Sequence, residues 1–135
     1  MYKPASFETV EEIFAKRFKG EVITHEEELV FKTAFMVALG KEYNKKNNRI
    51  AAICAAPSIL GNLGLLEGKK AMAFPGFETQ LTGAVIITAP ERVVTDGNIT
   101  TSRGMGTSLD LGLELVRLIK GEELAEQLRT STQYI

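Results

Sequence analysis

The sequence predicts an α/β layer fold with a single domain over residues 1–135. The main observation is that segments with strand character alternate with segments of helical periodicity along the chain. A second is the run Ile50–Ile53, which is apolar on both faces, as is typical of a central strand in a parallel sheet. A third is Asp96-Gly97 between two short β-prone segments, the strongest hairpin signal in the chain.

The N-terminal third is predicted to form two helices around a short strand. Thr9 and Glu12 have capping-box spacing, which predicts a helix over Val10–Lys19. Glu21–Thr24 has the pattern of a short strand. Glu26–Lys46 is predicted to be a long helix, because its acidic start and basic end complement the helix dipole. Buried positions on the two helices are predicted at Ile13, Phe14, Phe18, Phe31 and Phe35.

The remaining elements are predicted from apolar runs bounded by glycine or proline. Strands are predicted over Arg49–Ile53, Ala71–Phe74, Ala84–Thr88, Arg92–Thr95 and Asn98–Thr101. Helices are predicted over Pro57–Leu63, from a cap at Thr107 to about Lys120, and over Glu122–Arg129. Pro57 suits a first helical turn, since an N–H group at that position has no partner within the helix.

Composition and charge exclude several classes of protein. The 135 residues carry a formal charge of −1, which argues against a nucleic-acid partner. No apolar run approaches the ~20 residues of a membrane span, and the first residues do not resemble a signal peptide, so we expect a cytoplasmic protein with no membrane partner. A single cysteine and a single histidine exclude a disulfide within the chain and multi-thiolate or multi-histidine metal sites. We expect neither a metal nor a cofactor.

The most informative residue is Cys54, which lies where the predicted strand runs into the predicted helix. Small residues stand two positions before it (Ala52) and two after it (Ala56), which is the layout of a nucleophile elbow. The N–H groups of a helix N-terminus stabilise a thiolate, and the Ala55 N–H could stabilise an oxyanion. The alternative is that Cys54 is a small, inert core residue, which is the commoner role of a lone cysteine in an apolar run.

Five motifs in order make the sequence resemble the ThiJ/PfpI superfamily, in its deglycase and chaperone branch. They are Ile50–Pro57 (IAAICAAP), Gly64–Lys70 (GLLEGKK), Phe74–Phe77 (FPGF), Arg92–Gly97 (RVVTDG) and Thr101–Thr107 (TSRGMGT). The resemblance covers about Glu42 to Leu128.

The resemblance implies a flavodoxin-like three-layer sandwich with a mostly parallel sheet, usually in a homodimer. It assigns the family's reactive cysteine to Cys54 and places the loop with Arg103 and Gly104 near it and near the dimer contact. Arg103 could bind an anionic group of a substrate or of a partner, or could anchor its own loop. Family members act as proteases, glyoxalases, deglycases, chaperones and oxidative sensors, and their cysteine readily becomes a sulfinate beside a protonated glutamate.

The family's glutamate matches Glu11 best, through the short segment Phe7–Glu11. The resemblance therefore gives Glu11 the role of the acid that accompanies Cys54. The alternative is a solvated carboxylate in the first turn of a helix, where it favours the helix dipole.

The N-terminal third departs from the family pattern. No Pro-Gly-Gly loop, whose N–H faces the cysteine in relatives, stands between Thr24 and Glu26, so we expect fewer strands than the family norm. Many relatives have histidine where this chain has Phe74, and proline where it has Met105.

Three functions remain open from the sequence. The first is an enzyme in which Cys54 attacks small carbonyl compounds, with Glu11 moving the proton and Ala55 holding the oxyanion. The second is a redox sensor or chaperone that works through Cys54 oxidation. The third is an inactive minimal version of the fold.

Overall fold

The chain divides into two compact units, Met1–Glu42 and Tyr43–Ile135. The computed structural model describes residues 7–134, apart from the side chains of residues 7–10, 18, 31, 32 and 35. The predicted core roles of Phe18, Phe31 and Phe35 fall on side chains outside the described residues.

The first unit contains α1 (Phe7–Phe18) and most of α2 (His25–Lys45). Thr9 lies inside α1, so the predicted N-cap at Thr9 is wrong. The capping box forms at α2 instead, where the Thr24 N–H donates to Glu27 Oε2 (2.8 Å) and the Glu27 N–H donates to Thr24 Oγ1 (3.2 Å). Because Thr24 serves as this cap, the predicted strand over residues 21–24 is absent. Ile13 is buried, as predicted.

The second unit is built on a three-stranded sheet with the order β1 (Ile50–Ile53), β5 (Ile99–Ser102), β4 (Val93–Asp96). β1 is parallel to β5, with Ile53 opposite Ser102, whereas β4 and β5 form an antiparallel hairpin. The predicted hairpin is confirmed, and its turn is tight at Gly97, which has a φ of +61°. The predicted central position of β1 is wrong, because β1 lies at one edge of the sheet that the described residues form.

A second, smaller parallel pair joins β2 (Lys70–Ala71) to β3 (Val85–Ile86). Both strands are shorter than predicted. The segment after Ala71 leaves this pair because its N–H groups find partners in the first sheet. The Met72 N–H donates to Thr101 Oγ1 (3.0 Å), and the Phe74 N–H donates to the Cys54 carbonyl (2.8 Å).

Helical layers cover both faces of β5, which confirms the predicted three-layer arrangement. They consist of α3 (Pro57–Asn62), α4 (Ser108–Lys120) and α5 (Glu122–Ser131). Side chains alternate along a strand, and Ile99 packs in the core cluster that contains Leu60 of α3. Thr100 faces the other way and bonds to Thr95 Oγ1 (3.0 Å), which in turn donates to Glu114 of α4 (2.8 Å).

Within residues 7–134, no helix has the length and apolar character needed to cross a bilayer. The same residues contain no group of three or more His, Cys, Asp or Glu side chains placed to hold a metal ion.

Candidate active site

Cys54 forms a strained turn between β1 and α3. Its φ is +65°, in the left-handed region that residues other than glycine seldom adopt. Two backbone hydrogen bonds hold it there: the Cys54 N–H donates to the Ser102 carbonyl (3.0 Å), and the Cys54 carbonyl accepts from the Phe74 N–H (2.8 Å). Strain of this kind persists where the surrounding structure fixes it, and it is the backbone feature of a nucleophile elbow.

Cys54 is a free cysteine at the C-terminal end of β1, and the residue as a whole is half-buried. Ala52 is buried beneath the turn and Ala56 is exposed just before α3. The small neighbours predicted from the sequence therefore lie on either side of the turn.

The orientation of the Ala55 N–H follows from the bond between Phe74 and Cys54. In a trans peptide the carbonyl and the N–H point in opposite directions, so fixing the Cys54 carbonyl on the Phe74 N–H also fixes the Ala55 N–H. Ala55 is held further by its carbonyl, which accepts from the Ser58 N–H (3.0 Å) and from Ser58 Oγ (2.7 Å). No acceptor for the Ala55 N–H occurs among the described residues. Backbone N–H groups stabilise an oxyanion when they point at the reacting oxygen.

The loop that carries Arg103 and Gly104 is fixed by a buried hydroxyl pair. Ser102 Oγ lies 2.6 Å from Thr107 Oγ1 and donates to the Arg92 carbonyl (2.7 Å). Thr107 Oγ1 supplies the proton of this pair, accepts from the Gly104 N–H (3.2 Å) and lies 2.9 Å from the Gly104 carbonyl oxygen. Thr107 precedes α4 as predicted, but its side chain makes no cap bond, because it bonds back into this loop.

Gly104 and Arg103 differ in what surrounds them. A Cβ atom on Gly104 would lie 3.3 Å from Cδ2 of Phe74, so the ring lies directly against this glycine. Arg103 is half-buried, and its Nε is buried without a hydrogen-bond partner within the described part of the chain. A buried N–H without an acceptor is costly, so this group is ready to accept a carboxylate or another oxygen ligand.

A cluster at the C-terminus braces the same loop from outside. Arg92 donates to the Gly106 carbonyl through Nη2 (2.6 Å) and to Asp110 Oδ2 through Nε (2.7 Å). The Tyr134 hydroxyl donates to the same Asp110 oxygen (2.7 Å). Partial burial acts to raise the pKa of Asp110, but the hydrogen bonds from Tyr134 and Arg92 outweigh it and leave this pKa below its ordinary value.

Four of the five predicted site residues therefore belong to the second unit, where Cys54 and Ala55 are joined through Ser102 and Phe74 to the loop of Arg103 and Gly104. Glu11 belongs to the first unit, where its side chain is exposed on α1. Its role stays a prediction. The sequence did not predict the role of Phe74, whose backbone N–H orients the elbow. That contact joins distant segments, and no local pattern signals it.

The sequence pattern of the DJ-1/PfpI family matches residues 24–118, which contain this elbow. The chain belongs to the DJ-1/PfpI family. The crystal structure of Drosophila melanogaster DJ-1beta superimposes with a TM-score of 0.67 at 30% identity, over 76% of this chain and 55% of that one. Oxidized Toxoplasma gondii DJ-1 also gives a TM-score of 0.67, at 31% identity over 73% of this chain and 53% of that one. These structures confirm the predicted flavodoxin-like α/β fold.

Curated relatives of this DJ-1/PfpI chain are considerably longer than it is. Protein DJ-1 homolog B of Arabidopsis thaliana is 42% identical over 98 residues, which make up 72% of this chain and 22% of the relative. A uronate isomerase of Lachnospira eligens is 66% identical over 47 residues, 35% of this chain and 10% of that enzyme. The chain thus spans about a fifth of DJ-1 homolog B and about a tenth of the uronate isomerase.

Proposed function

We propose that this DJ-1/PfpI protein uses Cys54 as a nucleophile toward small carbonyl compounds, such as glyoxal-type aldehydes or their adducts. The observation that carries the proposal is the left-handed turn at Cys54, a half-buried residue followed by the Ala55 N–H, which has no acceptor among the described residues. This is the relation that a nucleophile and an oxyanion donor need.

In the addition step, the Cys54 sulfur forms a bond to the aldehyde carbon while the π electron pair of the C=O bond moves to oxygen. The Ala55 N–H stabilises the oxyanion, and the proton released by the thiol passes to this oxygen through water, which completes a hemithioacetal. For a 2-oxoaldehyde, Glu11 then takes the proton from the former aldehyde carbon and returns it to the neighbouring carbon. The hydroxyl proton passes to the oxygen of that neighbouring carbon, so the former aldehyde carbon becomes the carbonyl of a thioester. Water hydrolyses the resulting thioester, releases a 2-hydroxy acid and restores the thiol. The net reaction consumes one water and needs no oxidant.

Arg103 and Gly104 line the substrate side of the proposed site. The buried Arg103 Nε lacks an acceptor among the described residues, which supports binding of an oxygen ligand there. Gly104 allows the Phe74 ring to pack closely against the loop, since a Cβ there would lie 3.3 Å from Cδ2 of Phe74.

The test of the nucleophile is turnover of methylglyoxal by the full chain and by Cys54→Ala. We expect measurable hydroxy-acid formation that is lost in the variant, and equal rates in the two proteins would refute the proposal. The proton role of Glu11 is tested by Glu11→Gln against Glu12→Gln, since both carboxylates are exposed on α1. A loss confined to Glu11→Gln, of roughly 10²-fold or more, supports the role. Matching rates in the two variants would remove Glu11 from the mechanism.

A second candidate is an oxidative sensor, favoured by Cys54 being a free cysteine that is only half-buried. The thiolate attacks a peroxide oxygen, an S–O bond forms as the O–O bond breaks, and hydroxide leaves; a second round gives the sulfinate. Intact mass after mild peroxide should rise by one or two oxygens in the native chain and by none in Cys54→Ala. A wild-type chain that gains no oxygen would rule out this function.

We also propose that the chain forms a homodimer, as the family resemblance implies. Light scattering coupled to gel filtration measures the mass directly. A mass near the 14.8 kDa of one chain at every accessible concentration would contradict the dimer.

A further inference from the structure

The Phe74 side chain is exposed at the elbow, although the backbone of Phe74 is held by hydrogen bonds. Its N–H donates to the Cys54 carbonyl, its carbonyl accepts from the Phe77 N–H (3.0 Å), and Met72 two residues earlier is bonded to Thr101. The side chain nevertheless keeps 46% of its surface in solvent. A large aromatic ring held in water beside a nucleophile calls for an explanation other than core packing.

The ring lies against the loop that follows β5. It lies against Gly104, and the next residue, Met105, exposes 91% of its surface. Aromatic and thioether side chains bind apolar ligands well, because the ring is flat and the methionine chain is adaptable. Neither group can donate or accept a proton in a reaction. This side of the elbow is therefore suited to contact a substrate and not to acid–base chemistry.

We propose that Phe74 is a specificity-determining residue: its ring contacts the substituent on the carbonyl carbon and selects aromatic or bulky apolar carbonyl compounds. The proposal rests on the proposed function of Cys54. The bond from the Phe74 N–H to the Cys54 carbonyl fixes the backbone of Phe74 at the elbow, and its ring lies against Gly104, which exposed Met105 follows in the chain. Phenylglyoxal is thus a better substrate than methylglyoxal.

The experiment measures this preference in two ways, one of which needs no turnover. The first readout is the ratio of kcat/KM for phenylglyoxal to that for methylglyoxal. The second is the rate at which N-phenylmaleimide and N-ethylmaleimide label Cys54, followed by mass and divided by their rates with glutathione. The full chain is compared with Phe74→Ala and with Phe74→Leu, which keeps an apolar side chain without the ring. Leu124→Ala, which truncates an exposed apolar residue on α5, is the matched control.

We expect both readouts to favour the phenyl compound in the native chain by roughly tenfold or more, and the preference to fall several-fold in Phe74→Ala and part of the way in Phe74→Leu. Leu124→Ala should keep the native preference. A labelling preference without turnover supports the inference about Phe74 and refutes the proposed enzymatic function. Turnover with no phenyl preference, or a preference that survives in folded Phe74→Ala and Phe74→Leu, overturns the inference and leaves the proposed function standing.

Discussion

The left-handed backbone of Cys54 predicts that Cys54→Gly is more stable than Cys54→Ala. Both variants remove the thiol, so their difference isolates the backbone at a φ of +65°. A left-handed conformation costs a residue with a Cβ about 1–2 kcal/mol, which glycine avoids. Glycine also gives the unfolded chain more conformational freedom, and this lowers the free energy of unfolding by roughly 0.5–1 kcal/mol. The free energy of unfolding should therefore be about 0.5–1 kcal/mol higher for Cys54→Gly.

Urea unfolding followed by far-UV circular dichroism measures this difference. With an m-value of roughly 1.5 kcal/mol/M, the midpoint of Cys54→Gly should lie ~0.3–0.7 M above that of Cys54→Ala at an unchanged slope. Ala51→Gly is the control, because Ala51 is an exposed residue of β1 in the ordinary strand conformation. There the same exchange should lower stability by about 0.5–1 kcal/mol. Equal midpoints for the two Cys54 variants, or a lower one for glycine, would refute the strained elbow.

Three further predictions follow from the second unit. Gly61→Ala should destabilise the fold by about 1–3 kcal/mol or more, since its Cβ would clash with the backbone carbonyl of Gln80, whereas Gly112→Ala in open space on α4 should gain roughly 0.5–1 kcal/mol. Thermal melts that rank these two variants the other way would contradict the packing. The lowered pKa of Asp110 supplies stability above its unfolded pKa of ~3.9, which is lost as the pH falls through the folded value. Asp110→Asn should therefore have a lower free energy of unfolding than the native chain near neutral pH, and this free energy should fall less steeply from pH 5 to 2. The same steepness in both proteins would argue against the bonds from Arg92. Tyr134→Phe should raise the pKa of Asp110 in an NMR titration, because it removes a donor to the carboxylate, and an unmoved pKa would show that the Tyr134 bond is not made in solution.

The elbow could be predicted because its determinants are local. A buried apolar strand, a cysteine and a proline in the next helical turn all lie within Ile50–Pro57, and the structure gives β1, the left-handed Cys54 and α3 in that order. The hairpin at Gly97 was predictable for the same reason, since its turn chemistry is contained in the residues that make it.

The errors arise where a distant partner decides the local structure. Residues 72–74 have strand character, but the Met72 and Phe74 N–H groups donate to Thr101 and Cys54 and not to a neighbouring strand of the smaller sheet. The position of β1 in the sheet depends on which other segments pair with it, which the apolar run Ile50–Ile53 cannot specify. These outcomes are set by tertiary hydrogen bonds that override local preference.

In the proposed mechanism, addition of a carbonyl compound to Cys54 and its turnover need different groups. Addition needs the Cys54 sulfur and an oxyanion donor, and the contacts that fix both lie within the second unit. Turnover also needs a group that moves protons, and Phe74 stands where many relatives carry histidine, so the ring cannot supply one. The predicted proton carrier, Glu11, belongs to the other unit and is solvent-exposed. Adduct formation at Cys54 therefore depends only on contacts described for the second unit, whereas catalysis depends on the proposed role of Glu11. For this reason Glu11→Gln and Cys54→Ala should be compared by adduct mass as well as by product formed: only Cys54→Ala should lose the adduct, while both should lose turnover.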